Sequence, residues 1–232
     1  MIFVVSGEGP SDIGSSSHDH TLKPGPMAHF IDQVVQDKLD YSPIEATTMV
    51  IISESVLADA SKEISSGKKG VTLPGDKSKK ETAYFFRNAR ALAKIALDKA
   101  AEDAVAVLFR DADGTASSGR GLWSDKVSSI ENGFRAEGLR RGVAMVPKPK
   151  SEAWLICALK DQPYQHCGNL ENRSGNDKSP KSLKKELEEL LGGEFDLGEV
   201  INQIENRKID YRKIAMPSLT SFLKNICEAI DR

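Results

Sequence analysis

The strongest constraint on this chain is a run with no polar residue at any alternate position. Ile2-Phe3-Val4-Val5 is apolar throughout, rich in β-formers, and stopped by Ser6-Gly7. A strand that is apolar on both sides must be covered on both sides, which suits the interior of a parallel sheet. Met49-Val50-Ile51-Ile52, Ala104-Val105-Ala106-Val107-Leu108-Phe109 and the shorter Val143-Ala144-Met145-Val146 also read as strands. Helical patterns separate them. Pro26 suits a first helical turn, and Phe30, Ile31, Val34, Val35 and Leu39 follow at helical spacing. Residues 81–101 are alanine-rich without Gly or Pro, and 124–140 form a further helix. Strands alternating with helices predict an α/β fold with a mostly parallel central sheet, right-handed crossovers and flanking helices. The Ser-, Gly- and His-rich stretch 14–25 and the stretch 62–80 read as loops. Beyond Pro147 and Pro149 only helical patterns occur, around 151–160, 179–191, 197–206 and 217–230. The expected organisation is an α/β domain over 1–150 and a helical C-terminal extension over 151–232 packed on it.

With 232 residues the chain can bury a substantial core without staples. No stretch approaches the length of a membrane span. Cys157, Cys167 and Cys227 are an odd set without a paired framework, and the first residues lack a basic region followed by a long apolar one. A reducing, cytoplasmic setting is expected. His18-Asp19-His20 lies in the Ser-rich loop and supplies at most half a zinc site, so it too reads as loop. No phosphate loop of the G-x-x-x-x-G-K-[ST] type is present, so nucleotide hydrolysis of that kind belongs to another chain.

A formal net charge of −2 gives no global attraction to nucleic acid, so binding must rest on local patches. Two candidates stand out. The loop carries Lys62, Lys68, Lys69, Lys77, Lys79 and Lys80, and the following helix carries Arg87, Arg90 and Lys94 at spacings of three and four. Together they could present a basic stripe to a phosphate backbone.

Functional crevices of open parallel sheets lie outside the carboxyl ends of the strands. Glu8 follows the first run, with Asp12 four residues on. Asp111 and Asp113 follow the Ala104–Phe109 run, and Glu152 lies six residues beyond Val146. Singly, each acid also fits a turn or a cap. Jointly they predict a carboxylate cluster, which repels itself unless protonated or bridged by a cation, and hard oxygen ligands suit Mg²⁺ or Mn²⁺.

Val4-Val5-Ser6-Gly7-Glu8-Gly9-Pro10-Ser11-Asp12, followed by Leu108-Phe109-Arg110-Asp111-Ala112-Asp113, resembles the Toprim domain of topoisomerases, bacterial primases and overcoming-lysogenization-defect nucleases. The likeness covers roughly residues 1–160. It implies metal and acid–base positions at Glu8, Asp111 and Asp113. Asp12 is similar to the extra acid of the two-metal nucleases, and Glu152, with Ser151 and a nearby lysine, to their later acidic element. Ser151-Glu152-Ala153-Trp154-Leu155 also resembles the later motif of small stand-alone Toprim-like proteins of bacterial defence loci, which are often paired with a separate ATPase. The implied activity is phosphodiester cleavage by carboxylate-clamped metal ions, on DNA rather than RNA, with Lys148 or Lys150 stabilising transition-state charge.

Two other readings share these residues. Asp111-Ala112-Asp113-Gly114-Thr115 resembles the signature of haloacid-dehalogenase phosphatases, with Asp111 as nucleophile and Gly175-Asn176-Asp177 imitating a later acidic motif, although there the signature normally follows the first strand. A non-catalytic Toprim-like subunit serving an ATPase is the third reading.

Overall fold

The computed structural model describes residues 1–16, 21–66, 80–112, 122–193 and 196–232. The chain opens with β1 (Ile2–Ser6), a π-helical turn (Gly9–Ile13) and a small antiparallel hairpin of β2 (Gly14–Ser16) and β3 (Leu22–Pro24). There follow α1 (Pro26–Leu39), β4 (Met49–Ile52), α2 (Glu54–Ser66), α3 (Lys80–Ala100), β5 (Ala104–Phe109), α4 (Trp123–Ala136) and β6 (Gly142–Met145). Four helices complete it: α5 (Ser151–Leu159), α6 (Leu183–Leu190), α7 (Leu197–Glu205) and α8 (Pro217–Asp231).

The α/β expectation holds. β1, β4, β5 and β6 form one parallel sheet in the order β4-β1-β5-β6. Because the chain steps outward from β1 to β4 and then returns past β1 to β5, the crossovers leave on opposite faces and a crevice opens where β1 and β5 end. Ile2 stands opposite Ala104 and Ser6 opposite Leu108, so the two strands stop level with each other.

Alternation along the strands sorts their side chains onto two cores. Phe3, Val5, Met49, Ile51, Val105, Val107, Phe109, Val143 and Met145 pack with α1 and with α5 to α8. Val4, Ile52, Ala104, Ala106, Leu108 and Ala144 pack with α2, α3 and α4. The helices beyond residue 150 thus complete one face of the sheet. Trp154 of α5 is fully buried between Phe30 of α1 and Phe222 of α8, with ring centroids 6.3 Å away in each case, and its indole N–H donates to Ser218 Oγ at 2.9 Å.

The structure corrects three expectations. Within 14–25, β2 and β3 pair, and Gly14 sits at φ 97°, where a Cβ would stand 2.2 Å from the Lys23 carbonyl oxygen. Residues 62–66 are the end of α2, and Lys62 pairs with Asp59 at 2.9 Å one turn back. Cys157 and Cys167, expected unpaired, are joined by a disulfide with Cα atoms 5.3 Å apart, which leaves Cys227 as the free thiol. Among the described residues no helix is long and apolar enough to cross a membrane.

Trp154→Ala removes the largest side chain of the face that α5 closes. It is expected to cost about 3–5 kcal/mol, read as a lower urea midpoint at unchanged slope. A loss below about 1 kcal/mol would show that α5 is held by other contacts.

Candidate functional site

The site is built at the level ends of β1, β5 and β6. Gly7 leaves β1 so close to β5 that a Cβ there would meet Phe109 Cδ1 at 2.8 Å, so the two strand exits can touch only without a side chain. The pairing of β5 with β6 continues beyond the strands. Arg110 N–H donates to the Met145 carbonyl and Ala112 N–H to the Pro147 carbonyl, each at 3.0 Å. These bonds fix the backbone on both sides of Asp111.

Ser151, the first residue of α5, gathers the acids. Its hydroxyl donates to Asp12 Oδ1 at 2.6 Å and stands 3.4 Å from Glu152 Oε2, and its backbone N–H donates to Asp111 Oδ1 at 3.0 Å. Carboxylates from the π-helical turn, the β5 exit and α5 therefore meet at one serine. The N–H groups of a first helical turn lack partners within the helix, and here one of them is given to an acid. Burial pushes the pKa of Asp12 up, against the lowering pull of the Ser151 and Ser11 hydroxyls. Burial also raises that of Glu152, and the neighbouring charge of Asp12 adds to it.

Glu8 turns another way. Its Oε1 lies 3.6 Å from Nε of Arg110, a side chain with no exposed surface. Lys150 holds Asp177 at 3.0 Å and its charge acts on both Asp12 and Glu152. At the exit of β5, Lys126 of α4 is fully buried, donating to the Ala112 carbonyl at 2.8 Å with its ammonium 5.4 Å from the Phe85 ring centroid.

No protein-family model, curated protein or solved structure matches this chain. The Toprim likeness therefore stands on the short motifs quoted above.

Of the expected acids, Asp12, Asp111 and Glu152 converge on Ser151, and Glu8 faces Arg110 instead. Asp113 and Lys79 lie outside the described residues, as does the His18-Asp19-His20 triplet. Lys80 opens α3. Arg87 and Lys94 are exposed on that helix, Arg87 donating to the Ala83 carbonyl. Arg90 is turned toward α4, where Glu137 holds it at 2.5 Å. The basic stripe is thus interrupted at its middle member, because α3 packs against α4 on that side.

Among the described residues no three acid, His or Cys side chains stand close enough together to hold a metal ion. Hydrogen bonds to Ser151 share out the Asp12 and Asp111 oxygens, and Glu8 faces an arginine. The donor chemistry nevertheless suits a hard divalent cation: all oxygen, from three segments, with two half-buried carboxyls whose repulsion a cation would relieve.

Arg110, Lys126 and the gathering role of Ser151 lay outside the expected site. Arg110 stands directly after six apolar residues, and Lys126 shares the apolar stripe of Ile130 and Phe134, so both positions carried a sequence signal.

Glu152 and Asp12 hold their protons more tightly in the fold than in the open chain. The folded state therefore binds more protons across that window, and stability falls as pH rises through it. Glu152→Gln keeps the shape and removes the charge. In EDTA it is expected to melt at a higher temperature than the parent at pH 7, with the gain closing below about pH 4, where the side chain is protonated in both states. Equal melting temperatures at pH 7 would show that burying this carboxyl carries no cost.

Proposed function

We propose that this crevice hydrolyses phosphodiester bonds in nucleic acid, DNA rather than RNA, as a Toprim-type nuclease dependent on Mg²⁺ or Mn²⁺. The observation that carries the proposal is the convergence of Asp12, Asp111 and Glu152 on Ser151, from segments far apart in the chain. On this proposal a cation would draw these three closer together than the described structure holds them, with Asp113 added by the family resemblance. When bound, such a cation polarises a phosphoryl oxygen and lowers the pKa of water. The chain's own groups do the rest. Ser151 orients the acids, Lys150 offers positive charge to the phosphoryl group as its negative charge grows, and Glu8 at the rim is the candidate base. A partner ATPase and a role in bacterial anti-phage defence belong to the same proposal, through the resemblance alone.

One observation favours a second reading, a phosphatase in which the Asp111 carboxylate attacks phosphorus, the ester oxygen leaves, and water frees the aspartyl-phosphate. Asp177 stands on Lys150 beside the acids, where that reading needs a late carboxylate.

Plasmid DNA, RNA and a small phosphate ester, each with Mn²⁺ or EDTA, separate the two. The nuclease proposal expects DNA cleavage in Mn²⁺, none in EDTA, and a loss of roughly 100-fold or more in Asp111→Ala and Glu8→Ala. Ester hydrolysis abolished in Asp111→Ala, without DNA cleavage, selects the phosphatase. Activity in EDTA, or full activity in both variants, removes the nuclease proposal.

A further inference from the structure

Arg110, the residue after β5, has no exposed surface, yet its bonding is incomplete. Nη1 donates to the Phe109 carbonyl at 3.1 Å. Nε and Nη2 have no hydrogen-bond partner among the described residues. Glu8 Oε1, 3.6 Å from Nε, offsets the charge without completing a bond. The guanidinium carbon lies 5.7 Å from the centre of the Tyr84 ring, which favours a cation but gives its N–H groups no lone pair. Buried donors are almost always satisfied, and charged ones most of all, so two unmet donors on one buried guanidinium call for a ligand.

The unmet pair is a specific shape. Nε and Nη2 form one edge of the guanidinium, two parallel donors spaced to meet two oxygens of a single carboxylate or phosphate. We propose that this edge is the anion receptor of the crevice, taking two non-bridging oxygens of a phosphate group, with Glu8 as its resting counter-ion. The proposal rests on the phosphate-processing reading above and adds the group that holds the anion.

Two features select a phosphate. Asp12, Asp111 and Glu152 would repel an approaching phosphate, and Arg110, whose guanidinium stands beside Glu8 after β1, supplies a permanent opposite charge near the strand exits. Lys150, the neighbouring cation at the rim, is already engaged by Asp177. Glu8, the group against this edge, has a side chain 41% exposed, so the carboxylate that a phosphate would displace is in contact with solvent. Phosphate and the Glu8 carboxylate then compete for one edge, so the receptor has opposite responses to two substitutions.

The test is calorimetric titration with inorganic phosphate in EDTA, on wild type, Arg110→Lys and Glu8→Gln, with circular dichroism and melting curves to confirm folding. Lysine keeps the charge and loses the two-donor edge, so Arg110→Lys is expected to bind phosphate about tenfold more weakly or worse. Glu8→Gln removes the competitor and is expected to bind several-fold more tightly. If Arg110→Lys does not fold, Glu8→Gln decides alone. No binding by wild type, wild-type affinity in folded Arg110→Lys, or no tightening in Glu8→Gln overturns the proposal. Because cations are absent, phosphate binding can fail while cation-dependent cleavage stands, and cleavage can fail while phosphate binding stands.

Discussion

Everything at the site depends on the parallel pairing of β1 with β5. These strands lie far apart in sequence, and no local propensity brings them together. Their register, Ile2 opposite Ala104 through Ser6 opposite Leu108, makes them end side by side. Gly7 lets the exits close in, and the crossovers then diverge to opposite faces, leaving the gap into which the acids point. A slip of one residue would exchange the two faces of β1 and present Phe3 and Val5 to the wrong core.

Electrostatics gives this gap its character. Burial raises the pKa of Asp12 and of Glu152, and at Glu152 the neighbouring Asp12 and Asp177 charges add to it. The fold answers with hydroxyl and amide donors from Ser151 and with cations placed unevenly: Lys150 at the rim, Arg110 and Lys126 in the interior. Positive and negative groups are thus interleaved, Lys150 against Asp177 and Arg110 beside Glu8. Charge concentrated in this way is what stable cores avoid and reactive clefts retain.

Much of this was legible in the sequence, for identifiable reasons. Uninterrupted apolar runs located β4 and β5 at the bounds observed, because a strand buried on both faces leaves a purely local signature. The exits of such strands then pointed to Glu8, Asp12 and Asp111. The hairpin was not legible, since Gly14-Ser15-Ser16 has little β preference and is extended only through its pairing with Leu22–Pro24. Nor was α2, whose core contacts rest on Leu57, Ala60 and Ile64 among polar neighbours. Counting cysteines misled because parity says nothing about a helix and a following turn that bring Cys157 and Cys167 together. Arg110 sat in plain view within the motif, but that its guanidinium turns inward is a property of packing.

Helix α5 does two jobs at once. Its first residues, Ser151 and Glu152, complete the acid cluster, and within the same helix Trp154 and Cys157 are locked among α1, α8 and the segment carrying Cys167. The arrangement of the acids therefore depends on packing contributed as far along the chain as α8. A chain lacking α8 would keep the carboxylates and lose the contact that seats Trp154 and, through α5, Ser151.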